Sequence, residues 1–142
     1  MTSIPGVGEL TAVIALAETN GFELVMNKRQ LVSYAGLDVK EKQSGTSVKG
    51  KPKISKKGNR HLRKAMHLPA LCAIKNCSLY KNSFARLVGR HGIKMKAVVA
   101  VQRKILELMY ILYKTKTTFD LGHELKKEQQ LEAATPLQSS LC

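Results

Sequence analysis

Carboxylates are almost missing from the middle of this chain. Between residues 28 and 118 only Asp38, Glu41 and Glu107 occur, against 22 lysines and arginines. Three scattered acids are too few for a two-metal phosphoryl-transfer site. The stretch Ser44–Arg63 holds no acid at all, so it repels cations and cannot hold a metal ion. Long apolar runs are lacking as well: none approaches the roughly 20 residues of a membrane span. No charged-then-apolar leader opens the sequence. Cysteine is scarce. Cys72, Cys77 and Cys142 are odd in number and have no paired spacing, which points to a reducing cytoplasm and buried thiols. Cys72 and Cys77 stand near His67, but that spacing on one helix is a poor zinc frame, so no metal site is assigned. His61, His67, His91 and His123 read as polar surface or interface residues.

What is present is positive charge, unevenly placed. The 142 residues carry a net charge of +14, with a pI near 9.9. Residues 1–27 sum to −3, 28–64 to +10, 65–118 to +9 and 119–142 to −2. A polyvalent surface of this kind suits a phosphodiester backbone better than any small acid. The plainer explanation is loose polyanion binding or membership of a ribosome-like assembly. The length fits one domain able to bury a core without staples.

The apolar pattern predicts a mainly α fold. It would have a helix-hairpin-helix-like start, a long basic loop and then a bundle of about three longer helices. Ile4-Pro5-Gly6-Val7-Gly8 is a tight turn leading into an apolar helix from Glu9 to Glu18, closed by Asn20-Gly21. Asn27 caps a short helix through Tyr34, with Leu31, Val32 and Ala35 facing inward and Gly36 as its stop. Residues 37–57 show no helical period. Val48 to Ile54 suggest a small hairpin, while Gly, Pro and Ser argue for a structured loop, and loops this long are usually functional or disordered. Asn59 caps one long helix to Asn76, kinked at Pro69. Another helix spans Leu79 to Val88, ended by Gly89 and Gly92. The last is the most periodic: Val98, Val101, Ile105, Leu108, Met109 and Leu112 repeat at the spacing of a packed face. Arg103, Lys104, Lys114 and Lys116 line its other side. Residues 1–118 form the domain on this reading, and 119–142 a polar, mobile tail.

Two motifs carry chemistry. Pro5-Gly6-Val7-Gly8 with Thr11-Ala12 matches the hairpin and second helix of a helix-hairpin-helix, in which Gly6 and Gly8 let backbone N–H groups face a DNA phosphate. Only three residues precede Ile4, too few for that motif's first helix, so the chain reads as a piece of something longer. Ser44-Gly45 supplies a candidate nucleophile inside the basic tract, with Ser47 and Ser55 as alternatives on equal terms. Lys49, Lys51, Lys53, Lys56, Lys57, Arg60 and Arg63 cannot take a serine's proton, but they can hold a phosphate in line and offset charge building on its oxygens. Asn59 stands beside them. Serines in such loops are more often turn or hydrogen-bonding residues than catalysts. Glu9, Glu18 and Glu23 read as helix-surface charges.

Taken in order, Ile4-Pro5-Gly6-Val7-Gly8 with Thr11-Ala12, Tyr34-Ala35-Gly36-Leu37, Ser44-Gly45, Ile54-Ser55-Lys56-Lys57-Gly58-Asn59 with Leu62-Arg63, and Arg103-Lys104-Ile105-Leu106 carry a resemblance. Over residues 4–118 the chain resembles the C-terminal transposase domain of the bridge-RNA-guided insertion-sequence transposases, the IS-one-ten and IS-eleven-eleven type. The resemblance implies a recombinase that cleaves and rejoins DNA, in which a serine becomes joined to the cut strand; Ser44 falls at that position. It implies that magnesium is bound by four acids of a separate RuvC-like domain, absent here, with no cofactor held by this chain. The implied partners are DNA, a structured guide RNA, the RuvC-like domain and further copies of the full-length protein, with no membrane. The implied location is the bacterial cytoplasm, on the nucleoid. Val39 departs from the family's frequent proline. A non-catalytic nucleic-acid-binding module, or a truncated transposase remnant, is the alternative; a helical scaffold for protein contacts is a weaker third.

Overall fold

A computed structural model describes residues 1–40, 43–44, 48–49 and 53–134; for 43, 44, 48, 49, 128, 131 and 132 it describes the backbone alone. The architecture is mainly α, as the apolar pattern predicts. Helix α1 (Glu9–Thr19) starts after Gly8 and ends where Asn20 turns left-handed. Helix α2 (Lys28–Tyr34) begins at Asn27, whose Oδ1 accepts the Gln30 N–H at 2.9 Å. It ends at Gly36, which takes a φ of +68° and lets the Leu37 N–H reach back to the Val32 carbonyl.

The segment from Asn59 to Asn76 is not one kinked helix. Asn59 caps α3 (Arg60–Ala65), and after Met66 a separate α4 (His67–Asn76) begins. The break comes three residues before Pro69. Proline lacks the N–H that the Ala65 carbonyl would accept, and its ring crowds that carbonyl. The chain therefore restarts so that Pro69 falls in the first turn of α4, where that N–H has no intrahelical partner anyway. Helix α5 (Ser78–His91) passes through Gly89 and stops at Gly92, φ +67°. Cys77 is buried as expected, but Cys72 is exposed. Cys142 lies outside the described residues.

Helix α6 (Lys94–Thr115) is the spine. Its predicted stripe is buried throughout, and α2, α4 and α5 all pack on it. Burying a side chain such as Ile105 completely contributes about 1.5–3 kcal/mol, and Val101, Leu106 and Met109 are as deeply placed. Phe22, fully buried, meets Tyr110 edge-on at 5.6 Å and ties the end of α1 to α6. Within the segment read as a polar tail, residues 121–134 form helix α7 (Leu121–Ala134); Phe119 and Leu125 pack against the core and α7 contacts α5.

Between α2 and α3 the described residues form two separate two-stranded antiparallel sheets, together termed the ribbon. Strand β1 (Val39–Lys40) pairs with β4 (Lys53–Ile54), in the register Val39–Ile54 and Lys40–Lys53. Beyond them β2 (Gln43–Ser44) pairs with β3 (Val48–Lys49), Ser44 opposite Val48. The expected hairpin exists with different partners: Ile54 pairs with Val39, and Val48 with Ser44.

Candidate nucleic-acid interface

Two turns hold the ribbon at its root. The Asn59 N–H donates to the Tyr34 carbonyl at 2.5 Å, Lys56 N–H to Gly36 at 3.1 Å and Ser55 N–H to Asp38 at 2.8 Å. With β1 and β4 these bonds run as one ladder from the α2 end to the α3 start. The backbones approach so closely that only glycine fits. A Cβ on Gly58 would overlap the Tyr34 carbonyl, and one on Gly36 would stand 2.6 Å from an Arg63 Nη and 2.7 Å from the Gly58 nitrogen. Tyr34-Ala35-Gly36-Leu37 and Lys57-Gly58-Asn59 are thus two halves of a clasp.

Asn59 is engaged by protein on every side. Its Oδ1 accepts the Leu62 N–H at 2.9 Å, capping α3, and its Nδ2 donates to a Glu18 carboxylate oxygen at 2.6 Å. Glu18 is therefore no plain surface charge. Its carbonyl also accepts the Tyr34 hydroxyl at 2.8 Å, so α1 is fastened to the clasp twice. Arg63, half-buried, donates to the Ala35 carbonyl at 2.9 Å. Asn59 and Arg63 are thus bound up in the shape of the site, and Arg63 keeps further donors on its fork.

Ser55 donates its hydroxyl to Asp38 Oδ1 at 2.5 Å. That carboxylate and hydroxyl, reinforced by the backbone bond beside them, latch the ribbon root. Asp38 and Ser55 open onto a cleft of about 610 Å³ lined also by Lys40, Lys57, Gln30 and Ser33. Lys40 and Lys57 are neighbours there. A side-chain hydrogen bond to Lys57, and then repulsion from its charge, hold Lys40 below the ordinary lysine value, with Asp38 pulling the other way. Two ammonium groups held together are a ready site for a phosphate oxygen between them.

The remaining cations of the tract, Lys53, Lys56 and Arg60, are exposed around the clasp. Ser44 sits on β2 opposite Val48, and Lys49 on β3 opposite Gln43. Ser47 and Lys51 lie outside the described residues. At the other end of the domain, Gly6 (φ +89°) abuts α4, where a Cβ would overlap the Pro69 carbonyl, so packing alone demands glycine there. Gly8 has open space around it at the start of α1. The two glycines are on the α1–α4 side and the cations on the α2–α3 side.

Asp38 and Glu18 are the residues that sequence reasoning missed. A readable signal existed: two glycine turns flank the ribbon, and the segments running inward from them, 36–40 and 53–58, are of similar length. No group of three or more metal-ligating side chains occurs among the described residues. The acids present, one latched to Ser55 and one capping the clasp, do not fit a magnesium site. No helix among the described residues is long and apolar enough to cross a membrane.

Fold and site together define a mainly helical, strongly basic domain that projects a clasped, serine-bearing ribbon. The chain belongs to the Transposase IS116/IS110/IS902 family, which it matches over residues 1–85, a span that contains the whole clasp. It is 27% identical over 124 residues to the pilin gene-inverting protein of Moraxella bovis, covering 84% of this chain and 38% of that one. The pilin gene-inverting protein of Moraxella lacunata is 26% identical over 121 residues, with the same coverage. The insertion element IS110 uncharacterized 43.6 kDa protein of Streptomyces coelicolor is 28% identical over 120 residues, which are 84% of this chain and 29% of that protein. The chain spans well under half the length of these relatives.

Proposed function

We propose that this chain is the DNA-handling, serine-bearing part of a transposase. Its ribbon delivers Ser44 to a phosphodiester, while acids and magnesium come from another part of the protein. The observation that carries this is the ribbon itself: its acids, Asp38 and Glu41, both precede Ser44, residues 44–63 hold none, and the segment is held by two interlocking glycine turns and surrounded by exposed Lys40, Lys53, Lys56, Lys57 and Arg60. Rigid roots position a tip well. The cations hold the phosphate and offset charge on its oxygens. The serine proton goes to a base of the acidic part of the protein, a bond forms from phosphorus to Oγ, the bond to the sugar oxygen breaks, and that oxygen leaves as a protonated hydroxyl. The phosphoserine ester keeps the strand available for rejoining. Inversion, named for the Moraxella relatives, and insertion, named for the Streptomyces one, both require that cut ends be rejoined. A structured guide RNA and assembly into oligomers belong to the same proposal, as does a place in the bacterial cytoplasm.

Ser44 is favoured by its place in the Ser-Gly motif, while Ser55, whose hydroxyl donates to Asp38 in the ladder at the root, is the alternative with a base beside it. Ser47 stays an alternative. In the intact transposase, Ser44→Ala is expected to abolish the covalent protein–DNA species on denaturing gels, while Ser55→Ala retains it at reduced yield. Loss in Ser55→Ala with retention in Ser44→Ala would transfer the role to the Asp38–Ser55 pair. If binding to DNA is salt-dependent yet neither variant has any effect on recombination, the chain is a binding module and the serine chemistry is wrong.

A further inference from the structure

The proposed function uses the ribbon's tip and its Asp38 side; the opposite side of the ribbon root forms a second feature. Between β1–β4 and the corner of α5 and α6 runs a groove of about 510 Å³. Val39 and Ile54 of the ribbon and Met95 and Val99 of α6 supply its floor. Val39 is 51% exposed, Met95 59% and the nearby Ile93 43%. Apolar side chains gathered in one concavity and left this open mark a surface that something covers.

The rim decides what. Lys53, Lys56, Lys96 and Arg103 line the groove with His91, and no carboxylate among the described residues does. Arg103 is half-buried, and its Nε is buried without a hydrogen-bond partner among the described residues. The occupant must therefore be anionic along one edge and apolar along the other. A duplex turns its base faces inward and offers only phosphates and groove edges. An unpaired strand offers phosphates on one side and bare base faces on the other.

We infer that this groove binds an unpaired stretch of polynucleotide, with phosphates against Arg103, Lys96 and Lys53 and base faces on Val39, Ile54 and Met95. The inference rests on the reading of this chain as a nucleic-acid-handling domain and adds the form of the ligand and its seat. Val39 and Ile54 are paired across the ribbon, so a strand in the groove is melted out beside the element that bears Ser44. Unpairing and cleavage are thereby brought to the two sides of one ribbon.

The test uses this chain with a fluorescein-labelled oligothymidylate and a duplex of equal length, each titrated at several salt concentrations. Val39→Ser and Met95→Ser, at exposed positions and checked for unchanged thermal melting, are expected to weaken oligothymidylate binding about fivefold each. They should leave its salt slope and the duplex affinity unchanged. Lys96→Ala should instead flatten the oligothymidylate log–log slope by about 0.7, one phosphate contact. Unaltered oligothymidylate binding in both serine variants, with duplex binding intact, overturns the groove assignment and leaves the proposed function standing. Salt-independent or absent binding of both probes overturns the two together. An acidic Glu/Leu amphipathic peptide that binds in a Met95-dependent way while oligothymidylate does not shows a protein-docking groove and refutes the inference.

Discussion

Gly58 and Asn59 illustrate how single residues build this site. Adding a methyl group at Gly58 forces the Tyr34 carbonyl away and pries open the ladder, because the two backbones are already in contact. Gly58→Ala should cost about 2–3 kcal/mol, in the range of core overpacking, read as a lowered urea midpoint with unchanged slope. Asn59→Ala removes a cap worth about 1–2 kcal/mol and strips Glu18 of its partner. Asn59→Asp keeps the cap but sets a second carboxylate against Glu18. That variant should therefore be less stable than wild type at neutral pH and recover as pH falls through the carboxylate range, about 4. No recovery in acid would mean that the Glu18 contact is not electrostatic. Lys40 yields a prediction of the opposite sense. Its proton is held less firmly than an ordinary lysine's because of Lys57, and it must carry that proton to hold phosphate. Binding is fully present at neutral pH and should begin to weaken, as pH rises, below the usual lysine value of about 10.4. Lys40→Arg, whose charge persists, should remove the early decline.

At the scale of elements, the ribbon's root and its tip differ in how they are held. The amides of Ser55, Lys56 and Asn59 each donate into the clasp, so their hydrogen exchange should be slow and comparable to that of α3. Exchange at open-loop rates would show that the clasp is not formed in solution. Much of the helical frame could be read from sequence. The α6 stripe, the Asn27 and Asn59 caps and the Gly36 stop are local signals, and each took its expected role. The errors fell where a non-local contact decides. Pro69 broke the helix at its i−4 carbonyl side instead of bending it in place. The ribbon's partners are set by Gly36 meeting Gly58 and not by alternation of apolar residues, so Ile54 pairs with Val39 and not within the Val48–Ile54 segment. Helix α7 carries little periodic signal because few of its residues are apolar; Phe119 before it and Leu125 within it supply the contact. Of the clasp, the glycine turns and the Asn59 cap are local signals, whereas Asp38 and Glu18 act through partners 17 and 41 residues away.

For the whole molecule, charge and fold converge. The acidic 1–27 segment and the acidic C-terminal residues flank 91 residues with a net charge of +19. If about six phosphates are neutralised, log affinity for duplex DNA should fall against log salt with a slope near −5; a flat response would contradict any reading based on phosphate. The clasp gives that basic surface a fixed point, tying the root of the ribbon to α1, α2 and α3, with Ser44 paired to Val48 farther along the same segment. The most direct measurement is residue-level mapping of the covalent complex. The intact transposase is trapped on DNA with magnesium, digested with trypsin and nuclease, and the residue bearing the nucleotide is located by fragmentation mass spectrometry. The account predicts the remnant on Ser44 within the Gln43–Lys49 peptide. A remnant on Ser55, or on any residue outside the ribbon, would contradict it.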